Sequence, residues 1–154
     1  MAILKPYTFA SGLFCGLTTG LHLIWGGHDV VRPFLKLHEQ DPNTLNEEVT
    51  FILHACWHIV SLSLATTSAI QISYGLGRPY LIGNSFIKVT PELVNFINTF
   101  NGLEGCIVLA CSFFGKVHEE EMKKRRFEKK WLHLLFRLPQ WALFFIIAGL
   151  PLLD

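Results

Sequence analysis

Two histidines, His54 and His58, stand four residues apart inside the apolar stretch LHACWHIVSL. On a helix this spacing sets both imidazoles on one face. Joined by His22 and Glu104, they would form a His/carboxylate set able to hold a divalent metal. The set lacks the glutamate that zinc proteases place after the first histidine, because Ala55 follows His54. Facing histidines in a helical bundle can also ligate haem iron. His22, His54 and His58, with Arg137 and Gln140, would equally suit the headgroup of a quinone. Against these stands a structural reading, in which the same side chains hydrogen-bond between helices at about 0.6 kcal/mol each in lipid.

The elements that must position these residues are apolar and long. Hydrophobic residues make up 51% of the 154-residue chain, and the mean hydropathy is +0.38. The formal net charge of +1 gives no basic field for nucleic acid, so no nucleic-acid partner is expected. The cysteines at 15, 56, 106 and 111 form no Cys-x-x-Cys pair and read as small buried hydrophobes. Four apolar segments, roughly 8–26, 50–74, 93–115 and 132–152, approach or exceed the ~20 residues needed to cross a bilayer core as a helix. Strands would have to close a barrel to satisfy their backbone there. The expected fold is therefore an all-α membrane protein, a four-transmembrane-helix bundle forming one domain over 1–154. The lipid bilayer is its first partner.

Turn signals separate the segments. Gly26-Gly27 is expected to end the first helix, with Arg32-Pro33 and Asp41-Pro42 in the loop beyond. The glycines and proline of YGLGRPYLIGNS end the second. Thr90-Pro91-Glu92 opens the third with a cap, a first-turn proline and an acidic residue suited to the helix dipole. The charged stretch 116–131 reads as a solvated helix end and loop. The N-terminal segment lacks a clean small-x-small cleavage site and reads as a retained helix.

Basic residues crowd the first and third loops, at Arg32 and Lys36 and in the run from Lys116 to Lys130. The positive-inside rule puts those loops on the cytoplasmic or matrix side and both termini opposite. Helix direction then brings His22, His54, His58, His133, Arg137 and Gln140 into one leaflet, with Glu104 near mid-membrane. In the second helix, His54, His58, Ser61, Ala65 and Ser68 form a small or polar stripe expected to face inward. Trp57 is expected to point to the bundle edge or a neighbouring helix.

Two resemblances bear on this pattern. Gly20–Gly27 (GLHLIWGG) resembles the Gly-x-Arg-His-Leu-x-Trp-Asp stretch of succinate dehydrogenase membrane anchors, with Leu21 at the arginine and Gly26 at the aspartate. More broadly, GLHLIWGGHDVVRPFL, ILHACWHIVSLSL and RLPQWALFFIIAGL together resemble a family of small uncharacterised four-helix bacterial-type integral membrane proteins. That resemblance implies a fold and a shared inner-leaflet constellation but no activity.

No nucleophile with its base, phosphate loop or broken transport helix is visible. The sequence therefore reads as a non-catalytic integral membrane protein of the mitochondrial inner or bacterial plasma membrane. It is expected to be an accessory subunit of a larger assembly, such as a respiratory complex, or a homo-oligomer. The alternative is a small redox, quinone- or metal-binding membrane protein built on the histidines.

Overall fold

The computed structural model describes residues 4–41, 46–82, 85–114 and 140–154. Arg137, His133 and the charged stretch 116–131 lie outside them. The described chain is predominantly helical. Helix α1 runs from Pro6 to Gln40, α2 from Glu47 to Gly75, α3 from Pro91 to Phe114 and α4 from Gln140 to Gly149, with a 3-10 turn at Leu150–Leu153. Three of these helices are long and apolar enough to cross a membrane. The segment expected over 132–152 is seen from Gln140 onward.

The first helix does not stop at Gly26-Gly27. It is regular to Leu21, passes through a wide π-helical stretch at His22–Val31, and resumes as an α-helix over Arg32–Gln40. Glycine is a poor helix former, yet the helix passes through both glycines. Pro33 explains the change of winding. In a regular α-helix its ring would meet the carbonyl four residues back. The preceding wide turns, closed by Arg32 N–H donating to the Gly27 carbonyl, relieve that clash.

Caps fix the other starts. The Asn46 side chain accepts the Val49 N–H at 2.8 Å, and Glu47 and Glu48 follow in the first turn of α2. Thr90 Oγ1 accepts the Leu93 N–H at 3.4 Å, and Pro91 and Glu92 open α3. Between α2 and α3 the chain forms a two-stranded antiparallel hairpin, β1 (Tyr80–Ile82) paired with β2 (Ser85–Ile87), which the turn signals did not announce.

The helices pack as two close pairs, α1 on α2 and α3 on α4. In the first pair the backbones nearly touch. A Cβ added at Gly12 would lie 2.8 Å from the Ile72 backbone nitrogen, and one at Gly75 2.6 Å from the Phe9 Cβ. Ser68 Oγ crosses the same seam and donates to the Gly12 carbonyl at 2.7 Å. The pairs are joined by an apolar layer of Cys15, Leu64, Phe144 and Ile147, and beside it by a polar node. There Gln71, with 0% of its surface exposed, donates to Asn98 Oδ1 at 3.0 Å. Ser11 Oγ lies 3.0 Å from Gln71 Oε1 and 2.7 Å from the Ile147 carbonyl. A hydroxyl has one proton, so the shorter contact takes it.

Candidate functional site

Past the Cys15–Leu64–Phe144–Ile147 layer, the two helix pairs diverge and leave a cavity of about 520 Å³. Its walls are mostly apolar, with Val60 from α2, Val108 from α3 and Leu143 from α4. Val31 and Phe34 close one side from the continued α1. This side exists because α1 does not end at its glycines.

Thr18, His22, Glu104 and Gln140, with the Trp57 indole, interrupt the apolar lining. His22 stacks on Trp57 with ring centroids 3.8 Å apart and planes 11° from parallel. Gly26 makes room for this stack, since a Cβ there would overlap the Trp57 ring. Glycine at this position thus serves packing and not a turn. Among the described residues, His22 Nε2 and Glu104 Oε2 are buried with no hydrogen-bond partner. Gln140, at the start of α4, is exposed at the cavity rim.

His54 and His58 are placed differently from the inward expectation. They meet each other, Nε2 to Nε2 at 3.1 Å with ring centroids 4.8 Å apart, and they do not line the cavity. His58 is exposed and His54 half-buried. Helical winding supplies the reason. Trp57 takes the face toward α1, and about 100° per residue carries the next side chain outward. The packed face of α2 runs through Trp57, Ser61, Leu64, Ser68, Gln71 and Gly75, while Ala65 is exposed.

The four metal-ligand candidates therefore separate into two places, with His22 and Glu104 at the cavity and His54 and His58 on the outer face. No group of three or more His, Cys, Asp or Glu able to hold a metal is found among the described residues. Of the candidate headgroup set, His22 and Gln140 line the cavity and Arg137 lies outside the described residues. Cys15 is buried, its thiol donating to the Leu64 carbonyl at 3.2 Å, whereas Cys56 and Cys106 are exposed.

Sequence reasoning passed over Trp57 as a cavity wall and Gln71 as the centre of the polar node. Gln71 had a signal: it is a large polar side chain in an apolar run, in helical step with Leu64 and Ser68.

Compared with family models, curated proteins and solved structures, the chain matches none.

Proposed function

We propose that this chain is an integral membrane protein whose four helices span the bilayer and that it serves, without catalysis, as an accessory subunit of a larger membrane assembly. The observation that carries the reading is the inverted distribution of side chains. The residues with least exposed surface include Thr8, Ser11, Gln71 and Asn101, while Leu17, Ile24, Phe51, Ile59, Leu62 and Ile107 are more than half exposed. In water such a surface would drive association, because large contiguous apolar patches are rare on soluble monomers. In lipid it costs nothing, and polar groups turn inward to pair.

The assembly part of the reading rests on how little of each long helix is packed within the chain, which leaves faces able to meet a neighbouring subunit as readily as acyl chains. In the membrane-length windows, 28%, 17% and 22% of residues are buried within the chain. The membrane in question is the mitochondrial inner membrane or the bacterial plasma membrane, with the basic loops on the matrix or cytoplasmic side.

Added cysteines within 119–128 and at Asn84 test the arrangement through membrane-impermeant labelling. Labelling of position 84 from the outer side and of 119–128 from the inner side is expected; the reverse, or release of the protein by alkaline carbonate, overturns it. Gentle extraction and native electrophoresis test the assembly. Migration as a lone monomer with no co-purifying subunit overturns the accessory role.

A further inference from the structure

We propose that the cavity between the two helix pairs binds a neutral, lipid-soluble molecule with an oxygen-bearing ring, seated with its oxygen toward His22 and Glu104. This goes beyond the assembly role and stands whether or not a partner subunit exists.

Size and shape come first. A volume of about 520 Å³ lies within the ~300–1,000 Å³ range of small-molecule pockets. The Cys15–Leu64–Phe144–Ile147 layer closes its floor. The stacked His22 and Trp57 rings, with centroids 3.8 Å apart beside Gly26, make one wall aromatic.

Chemistry then narrows the occupant. His22 Nε2 and Glu104 Oε2 are buried and unpartnered. Leaving a buried polar atom unpaired costs about 1–3 kcal/mol. A saturated acyl chain would leave both costs in place. A metal ion would need more ligands than the described residues bring together. An anion would call for a lysine or arginine, and none is found among the described residues of the lining. Water alone is a poor filling, because a buried water needs two to four polar partners and most of this wall is hydrocarbon. A ring bearing carbonyl, hydroxyl or alkoxy oxygens suits the apolar wall and offers partners to both buried groups. Its oxygen accepts from an imidazole N–H or a protonated carboxyl, and a ring hydroxyl donates to a carboxylate. Its flat face suits the aromatic wall.

The test uses the full chain in detergent with Trp25, Trp131 and Trp141 changed to Phe, so that Trp57 reports alone. The probe is 2,3-dimethoxy-5-methyl-6-decyl-1,4-benzoquinone, read by quenching of Trp57 fluorescence. Saturable quenching is expected. Glu104→Leu should weaken it on the order of tenfold, the loss of one buried hydrogen bond. Val60→Phe, which fills the cavity and removes no polar group, should weaken it at least as much and keeps the test decisive if Glu104→Leu fails to fold. His58→Ala, on the outer face, should leave it unchanged. Linear quenching of equal slope in the parent and in Val60→Phe would mean partition into the micelle and would overturn the proposal. Displacement of the probe by excess phosphatidylcholine would assign the cavity to acyl chains and also overturn it.

Discussion

Gln71 is fully buried and meets polar groups from the three other helices, namely the Ser11 hydroxyl, Asn98 Oδ1 and the Ile147 carbonyl. Its amide N–H groups donate to Asn98 Oδ1 and toward the Ile147 carbonyl, so an apolar side chain in its place would strand those acceptors. Gln71→Leu is expected to cost about 1–3 kcal/mol, because several buried groups lose a partner at once. This exceeds the ~0.6 kcal/mol typical of a single interhelical bond. Thr99 supplies the comparison: it is exposed, its hydroxyl donates to the Asn95 carbonyl of its own helix, and Thr99→Ala should stay within about 0.5 kcal/mol. Thermal unfolding in a fixed detergent measures both, and equal losses would show that the node carries no special weight. At this scale the sequence was partly legible. Helix direction alone brings His22 and Gln140 to one level, whereas it sets Glu104 nearer mid-membrane and so does not announce that Glu104 shares their cavity. The choice between Trp57 and His58 for the inner face was not legible. Apolar residues occupy both the packed and the exposed faces of α2, so hydrophobic periodicity does not mark the packed side, and one residue of rotation places the histidine pair outside.

Helix α1 is held to α2 by backbone approach more than by side-chain bulk. The contacts at Gly12 and Gly75 include the neighbour's backbone, which cannot rotate away. Gly75→Val or Gly12→Leu must therefore push the helices apart, at about 1–3 kcal/mol or more. It should also break the Ser68 bond to the Gly12 carbonyl. Gly20, with nothing within 4 Å of an added Cβ, is the control. Gly20→Ala should be neutral or stabilise by up to about 1 kcal/mol, since alanine is the better helix former. A cysteine pair across the α1–α2 seam would read the separation by crosslinking yield; an undiminished yield in Gly75→Val would refute the close-contact account. The same two helices explain what was and was not legible at this scale. The apolar runs and the Thr90 cap mark helix positions directly. The glycine pair at 26–27 reads as a stop because glycine and proline usually punctuate helices. Here Gly26 makes space for an indole and Pro33 is absorbed by wide turns upstream.

The whole molecule is tied at the end away from the cavity. Leu4 N–H and Lys5 N–H both reach the Gly75 carbonyl, at 2.9 and 3.2 Å. The Asp154 carboxylate accepts the Tyr7 and Thr8 N–H groups, at 3.1 and 2.7 Å, while Lys5 Nζ donates to the Asp154 carbonyl at 3.2 Å. A carboxylate at the start of α1 also meets the positive end of the helix dipole. Partial burial pushes the Asp154 carboxyl up, but the Thr8 and Tyr7 hydrogen bonds and the nearby Lys5 charge outweigh it and hold it below its usual value of 3.8. A group whose folded value is depressed stabilises the fold when ionised. Its contribution is complete above the ordinary carboxylate range near 3.9 and is lost as pH falls through the lower folded value. The ionised carboxylate therefore contributes fully at neutral pH, and its contribution fades in acid. Because Asp154 is exposed, water and salt screen much of its effect, so the signature is the shape of the pH curve and not its height. Asp154→Asn keeps the size and removes the titration. Its melting temperature in detergent, followed from pH 7 to pH 3, should fall less in acid than that of the parent, the two curves converging at the low end. Parallel curves over the whole range would show that Asp154 does not link protonation to the closure of this end.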